Sequence, residues 1–285
     1  GKYNMFRVNI RMFNSFLYNP AVYTGNSYRI GVFAGTKERF SFGLNFNGKI
    51  GKQRDYFEPR RDISEERYLE RNPSINTSGF ISTDFRKKFA FDLRGSFNKV
   101  FNEDQIGYGF NFGPRYRFNN KTSLIYSFRY NNNKNVIGYV TDENNDIIFG
   151  KREANSYENN LSGKYSFSTK SSLSLSFRHF WTTVKYNNKF YNLNLDGTLA
   201  DHSYTGIHDV NFNSWNLDLN YFWEFAPGSQ LIAFYRNSIF NSNDNAQINF
   251  INNITDLFEQ PSQHTLSLKF VYFIDYNNIK NAFNF

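Results

Sequence analysis

Between Gln105 and Asn132 the chain reads QIGYGFNFGPRYRF, then NNK, then TSLIYSFRYNN. On the first arm Ile106, Tyr108, Phe110, Phe112, Tyr116 and Phe118 share one phase, and Gly107, Gly109, Asn111, Gly113, Arg115 and Arg117 share the other. A period of two marks extended backbone, in which successive side chains point to opposite faces. The second arm sets Leu124, Tyr126, Phe128 and Tyr130 against Ser123, Ser127, Arg129 and Asn131, and the polar turn Asn119-Asn120-Lys121 joins the two. Both arms exceed the roughly 5 to 6 residues common in soluble sandwiches and reach the ~9 to 11 that a tilted strand needs to cross a bilayer. One face apolar over that length, with full charges on the other, predicts a membrane-spanning hairpin.

The pattern recurs along the chain. Phe6, Val8, Ile10 and Met12 alternate with Arg7, Asn9 and Arg11; Tyr28, Ile30 and Val32 turn at Thr36-Lys37-Glu38 into Phe40, Phe42, Leu44 and Phe46. Phe89, Phe91, Leu93 and Phe97 rise from Arg86-Lys87-Lys88, opposed by Asp92, Arg94, Ser96 and Asn98. Tyr157, Leu161, Tyr165 and Phe167 lead through Ser168-Thr169-Lys170 to Leu173, Leu175, Phe177, His179 and Trp181. Trp215 to Phe225 form another stripe, opposed by Asn216, Asp218, Asn220 and Glu224; Ala226 to Ser229 reverse it into Gln230 to Phe240, and Leu266 to Ile274 follow. Short turns alternate with longer polar loops, as in outer-membrane barrels. The expected fold is all-β, an antiparallel transmembrane β-barrel of about twelve long strands with both ends on the short-turn side, in one domain over residues 1–285.

A mean hydropathy of −0.63 would exclude a helical membrane protein but not a barrel, where only alternate residues meet lipid. The 20% aromatic content suits a lipid-facing band with girdles at its rims. No apolar run approaches the ~18 residues of a transmembrane helix. The absence of cysteine removes disulfides and thiolate chemistry. The net charge of +8 is dispersed over turns and strand faces, so it reads as facing anionic headgroups and a polar lumen rather than nucleic acid. The start Gly1-Lys2-Tyr3, without initiator Met or apolar leader, reads as a mature chain or a piece of a longer one.

The candidate lumen-facing set is Asp92, Arg94, Arg115, Arg117, Arg129, Asp218, Glu224 and Lys269. These charges either constrict a solute path or form ion-pair ladders that fill a closed barrel. The densest charge run, Gln53 to Pro73, reads first as a solvated loop and second as a binding loop. Asp142, Asn144, Asp146 and Glu153 match positions of a calcium loop, but Ile147 stands where that loop needs glycine, so an Asn/Asp-rich turn is the preferred reading. His202, His208, Asp201 and Asp209 could gather on one rim for hydrolysis, yet nothing in their spacing supplies an activated nucleophile. No catalytic residue, metal site or cofactor is assigned.

Four strings carry a family resemblance: Ser82 to Ala90 (STDFRKKFA), Ile147 to Arg152 (IIFGKR), His208 to Asn213 (HDVNFN) and Trp223 to Ser229 (WEFAPGS). With them the chain resembles, over nearly its whole length, the barrel domain of unknown function that in Bacteroidota outer-membrane proteins commonly follows a family 9 carbohydrate-binding-like domain. The resemblance is to the C-terminal part of that family's longer proteins, which makes twelve strands a lower bound. It implies an outer-membrane location and no established reaction. The expected function is non-enzymatic uptake or handling of extracellular material, with glycan as a candidate through a domain outside this chain. The alternatives are a structural subunit of a larger outer-membrane assembly, partnered by other outer-membrane proteins, and a barrel-borne hydrolase.

Overall fold

The computed structural model describes residues 2–274. In chain order its elements are β1 (Tyr3–Phe16), β2 (Tyr23–Thr36), β3 (Ser41–Lys49), β4 (Gln53–Asp55), β5 (Leu69–Arg71), β6 (Ser74–Ser82), β7 (Phe89–Val100) and β8 (Ile106–Arg117). There follow β9 (Thr122–Glu143), β10 (Asp146–Ser168), β11 (Ser171–Leu193), β12 (Leu199–His202), β13 (Val210–Ala226), β14 (Ser229–Asn243), helix α1 (Phe250–Phe258) and β15 (Gln263–Val271). A single 13-stranded antiparallel sheet runs β1-β2-β3-β6-β7-β8-β9-β10-β11-β13-β14-β15, with β12 attached to β11; β4 and β5 make a separate ribbon. Apart from β4, β5 and β12, strands consecutive in sequence are adjacent in the sheet, joined by short turns or, as between β3 and β6 and between β14 and β15, by long structured segments.

Cross-strand register carries the two-residue phase through the sheet. Val8 faces Val32, which faces Leu44; the same face then continues through Gly79, Gly95, Phe110, Tyr130, Tyr157 and Trp181. One residue along each strand the other face appears, with Arg94 opposite Asn111, Asn111 opposite Arg129 and Arg129 opposite Glu158. A one-residue slip anywhere would put charges into the apolar band, which pins the register. Much of the apolar face lies open, with Ile10 77% and Leu268 67% exposed, a far larger patch than soluble monomers tolerate. The charged face is the concave one: a single cavity is lined by residues of β1, β2, β6, β7, β9 and β10, which only a curled sheet can bring together. Aromatic rings also occur there, as Phe13, Phe180 and Phe234 carry the guanidinium groups of Arg29, Arg178 and Arg236 at 4.9, 5.3 and 5.3 Å.

Three stretches depart from the sequence expectation. β9, β10 and β11 run for 22, 23 and 23 residues, through segments that the sequence presents as loops. Asn135 and Asn188 adopt left-handed backbone at φ 56° and 57° beside register shifts; the one at Asn135 flips the phase, and the one at Asn188 sets residues 187–189 against Lys151 alone. A bulge erases periodicity without ending the strand. The β9–β10 turn is therefore only Asn144-Asn145, both left-handed at φ 49° and 71°, as a tight hairpin demands. Third, the Asn-rich stretch before β15 contains α1, capped by Asn249, whose side chain accepts from the Asn252 N–H. Among the described residues β1 and β15 form the two edges of the sheet and do not pair with each other.

Candidate functional site

All eight residues singled out in the sequence lie on the concave face, in two groups. Asp92, Arg94, Arg115, Arg117 and Arg129 occupy β7 to β9; Asp218, Glu224 and Lys269 occupy β13 and β15. Arg129 meets Glu158 at 3.3 Å, and Arg178 meets the other oxygen of that carboxylate at 2.8 Å, so one anion serves two guanidinium groups. Arg236 grips Asp218 with two bonds of 2.7 Å. Glu158, Arg178 and Arg236 escape a residue-by-residue reading because each needs its cross-strand partner to stand out. Arg7, Arg11, Arg29 and Lys164 share the face and, like Arg94, Arg115 and Arg117, have no carboxylate within 4.0 Å among the described residues.

At the long-loop end the segment from Gln53 to Arg71 folds into a strap, not a solvated loop. Gln53, Tyr56, Pro59 and Leu69 are buried and Asp55, Glu58, Arg61 and Arg71 are paired, while Arg54, Arg60, Asp62, Glu65 and Glu66 stay exposed. Gln53 accepts from the Asn26 N–H of β2 at 2.7 Å. Glu58 accepts from the Tyr139 N–H of β9 at 3.0 Å, and Arg71, which also pairs with Asp55 and Glu58, donates to the Ile137 carbonyl at 3.0 Å. Arg61 binds Asp142 with two bonds of 2.9 and 2.7 Å, and Leu69 packs with Ile147, Phe149 and Leu193. Two small strands, β4 and β5, with an Asp62-capped 3-10 turn between them, supply enough local structure to hold this crossing. Beneath the strap lies a cavity of about 700 Å³, lined among others by Lys49, Arg54, Glu58, Arg71, Glu103 and Arg152.

The calcium-loop residues do not converge. Asp142 is taken by Arg61, whose guanidinium holds its carboxyl below the ordinary carboxylate range; Asp146 accepts from Asn192 and Glu153 from Asn132. The histidine candidates are equally occupied. His208 bonds the Tyr204 hydroxyl at 2.7 Å, His202 accepts from the Tyr204 N–H at 3.0 Å, and Asp209 accepts from the Tyr186 N–H at 2.7 Å. None of these leaves a base aimed at a nucleophile.

The convex face carries a buried polar network. Tyr126, Asn159, His179 and Asn213 form a hydrogen-bonded chain at 2.6, 3.3 and 2.9 Å, roofed by α1. Asn253 and Leu257 of α1 are fully buried, Asn253 between Asn211 and Asn213. Phe250 and Phe258 lie on the ring systems of Trp181 and Trp215 at 5.8 and 5.2 Å.

No curated protein matches the sequence. Among solved structures, the copper transporter OprC aligns with a TM-score of 0.55 at 10% identity, over 93% of this chain and 41% of its own. The siderophore receptor PiuA from Acinetobacter baumannii aligns at 0.45 and 7% identity, over 95% of this chain and 46% of its own. The chain thus spans less than half the length of either. At 10% identity the OprC likeness bears on fold alone. Residues 1–283 match a family whose description is a domain of unknown function, and the chain belongs to that family, DUF5916.

Proposed function

We propose that this chain forms wall strands of a β-barrel in a Gram-negative outer membrane and takes part, without catalysing a reaction, in the uptake of extracellular material. The observation that carries the reading is the segregation of charge. From β1 to β15 the apolar phase presents exposed Phe, Ile, Leu and Val, while the charged phase lines a curled interior that opens under the strap. Burying unpaired charge in protein or lipid costs several kcal/mol per group, so such a face belongs to water. Glycan as the material handled rests on the companion domain in the family that the sequence resembles.

The experiment is conductance of the full-length protein, purified in mild detergent, across planar bilayers. Stable open channels, altered when Arg94, Arg115 and Arg129 are replaced by Gln, support the reading; a sealed bilayer refutes it. A second reading, a structural subunit of a larger assembly, is favoured by the edges of β1 and β15, which are unpaired among the described residues. Backbone groups left unpaired in hydrocarbon cost several kcal/mol each, so further strands must cover both edges. Strands of the same polypeptide would give a lone particle in the mass of the intact complex, and a stoichiometric partner would give a larger one.

A further inference from the structure

We infer that the interior is an anion path: its wall selects solutes bearing oxyanion groups, carboxylate, phosphate or sulfate, over cations. The inference rests on the uptake reading above and names the class of solute. Cations outnumber carboxylates on the concave face of the long strands, and the existing ion pairs do not correct the imbalance. Glu158 is shared by Arg129 and Arg178, which leaves that trio net positive.

The sharpest sign is on β1 and β2. Arg11 stands directly opposite Arg29 in the register. Like charges in that position repel each other, so this exposed pair is a place where an anion would be held by two guanidinium groups at once. Neither guanidinium has a carboxylate within 4.0 Å or a side-chain hydrogen-bond acceptor among the described residues. Arg29 lies with its face on the Phe13 ring at 4.9 Å, which leaves its N–H edge free. The excess is moreover mostly arginine, whose planar fork matches oxyanions in bidentate fashion better than the point charge of lysine. A cleft lined by one sign of charge raises the local concentration of the opposite ion by roughly tenfold or more.

The test is the reversal potential of the full-length protein in planar bilayers under a potassium chloride gradient, for wild type and for the Arg11→Gln/Arg29→Gln variant. Removing a like-charge pair should not harm folding, and a separate Arg94→Gln variant guards against an accidental change at the edge. A chloride-over-potassium permeability of several-fold, reduced toward unity in the variants, supports the inference. Equal or cation-favouring permeability through open channels overturns it while leaving the uptake reading intact. If the bilayer stays sealed the uptake reading fails, and calorimetric titration with inositol hexakisphosphate decides the wall itself. Saturable binding lost in the Arg11→Gln/Arg29→Gln variant sustains an anion site, and absence of binding overturns it.

Discussion

Gly25 is where the strap is most exposed to a minimal perturbation. A Cβ built there would stand 1.8 Å from Oε1 and 2.7 Å from Cδ of Gln53, so Gly25→Ala must expel the side chain that begins the strap. Gln53 is 7% exposed; it accepts from the Asn26 N–H at 2.7 Å and donates to the Ile50 and Gly51 carbonyls at 3.1 Å each. Orphaning buried partners of this kind costs ~1 to 3 kcal/mol. Taking about 2 kcal/mol, the opening equilibrium of the segment rises about 30-fold. Hydrogen exchange of the detergent-purified protein, followed by mass spectrometry, should show that acceleration at residues 53–58 and none in β13 and β14. Gly48→Ala is the control, because nothing lies within 4 Å of its Cβ position. Gln53→Ala should by itself reproduce the loosening, and adding Gly25→Ala to it should cost little beyond backbone strain at φ 153°. Unchanged exchange at 53–58 in Gly25→Ala, or full additivity in the double variant, would refute the claim that Gln53 is the strap's anchor.

Acid should release the other end of the strap. The Arg61 guanidinium lowers the Asp142 pKa, so the attachment is fully present above the unfolded value of about 3.9 and fades as pH falls through the lower folded value. Protection near Arg61, taken relative to the intrinsic exchange rate at each pH, should therefore be flat from pH 5 to 8 and fall below about 4, and Asp142→Asn should abolish that fall. Glu158→Gln removes the carboxylate shared by Arg129 and Arg178 and should increase anion over cation permeability, read from the same reversal potentials. Leu257→Ala, at a fully buried site under α1, should cost about 2 to 4 kcal/mol locally, seen as faster exchange across residues 250–258 with the sheet unaffected.

What could be read from the sequence divides along a physical line. Wherever a strand keeps strict alternation, as in Phe89 to Phe97 or Trp215 to Phe225, side-chain phase alone reveals the strand and its charged face. That is why the eight charged residues assigned from sequence share one face. Alternation fails where a bulge inserts a residue, so the upper halves of β9 to β11 looked like loops around Asn135 and Asn188. Composition fails where charges pair internally: Arg61, Asp142, Glu58 and Arg71 carry the same letters whether solvated or locked together. Helix α1 was hidden for a third reason, since FINNITDLF is too short to show a period and its Asn253 is buried only because Asn211 and Asn213 supply partners from another strand. Phase is a property of one strand, whereas ion pairs, straps and roofing helices are properties of strands brought together. The function of such a wall lies in that second set. The Arg11 and Arg29 pair makes the point, because each is an ordinary alternating arginine until the β1–β2 register sets one against the other.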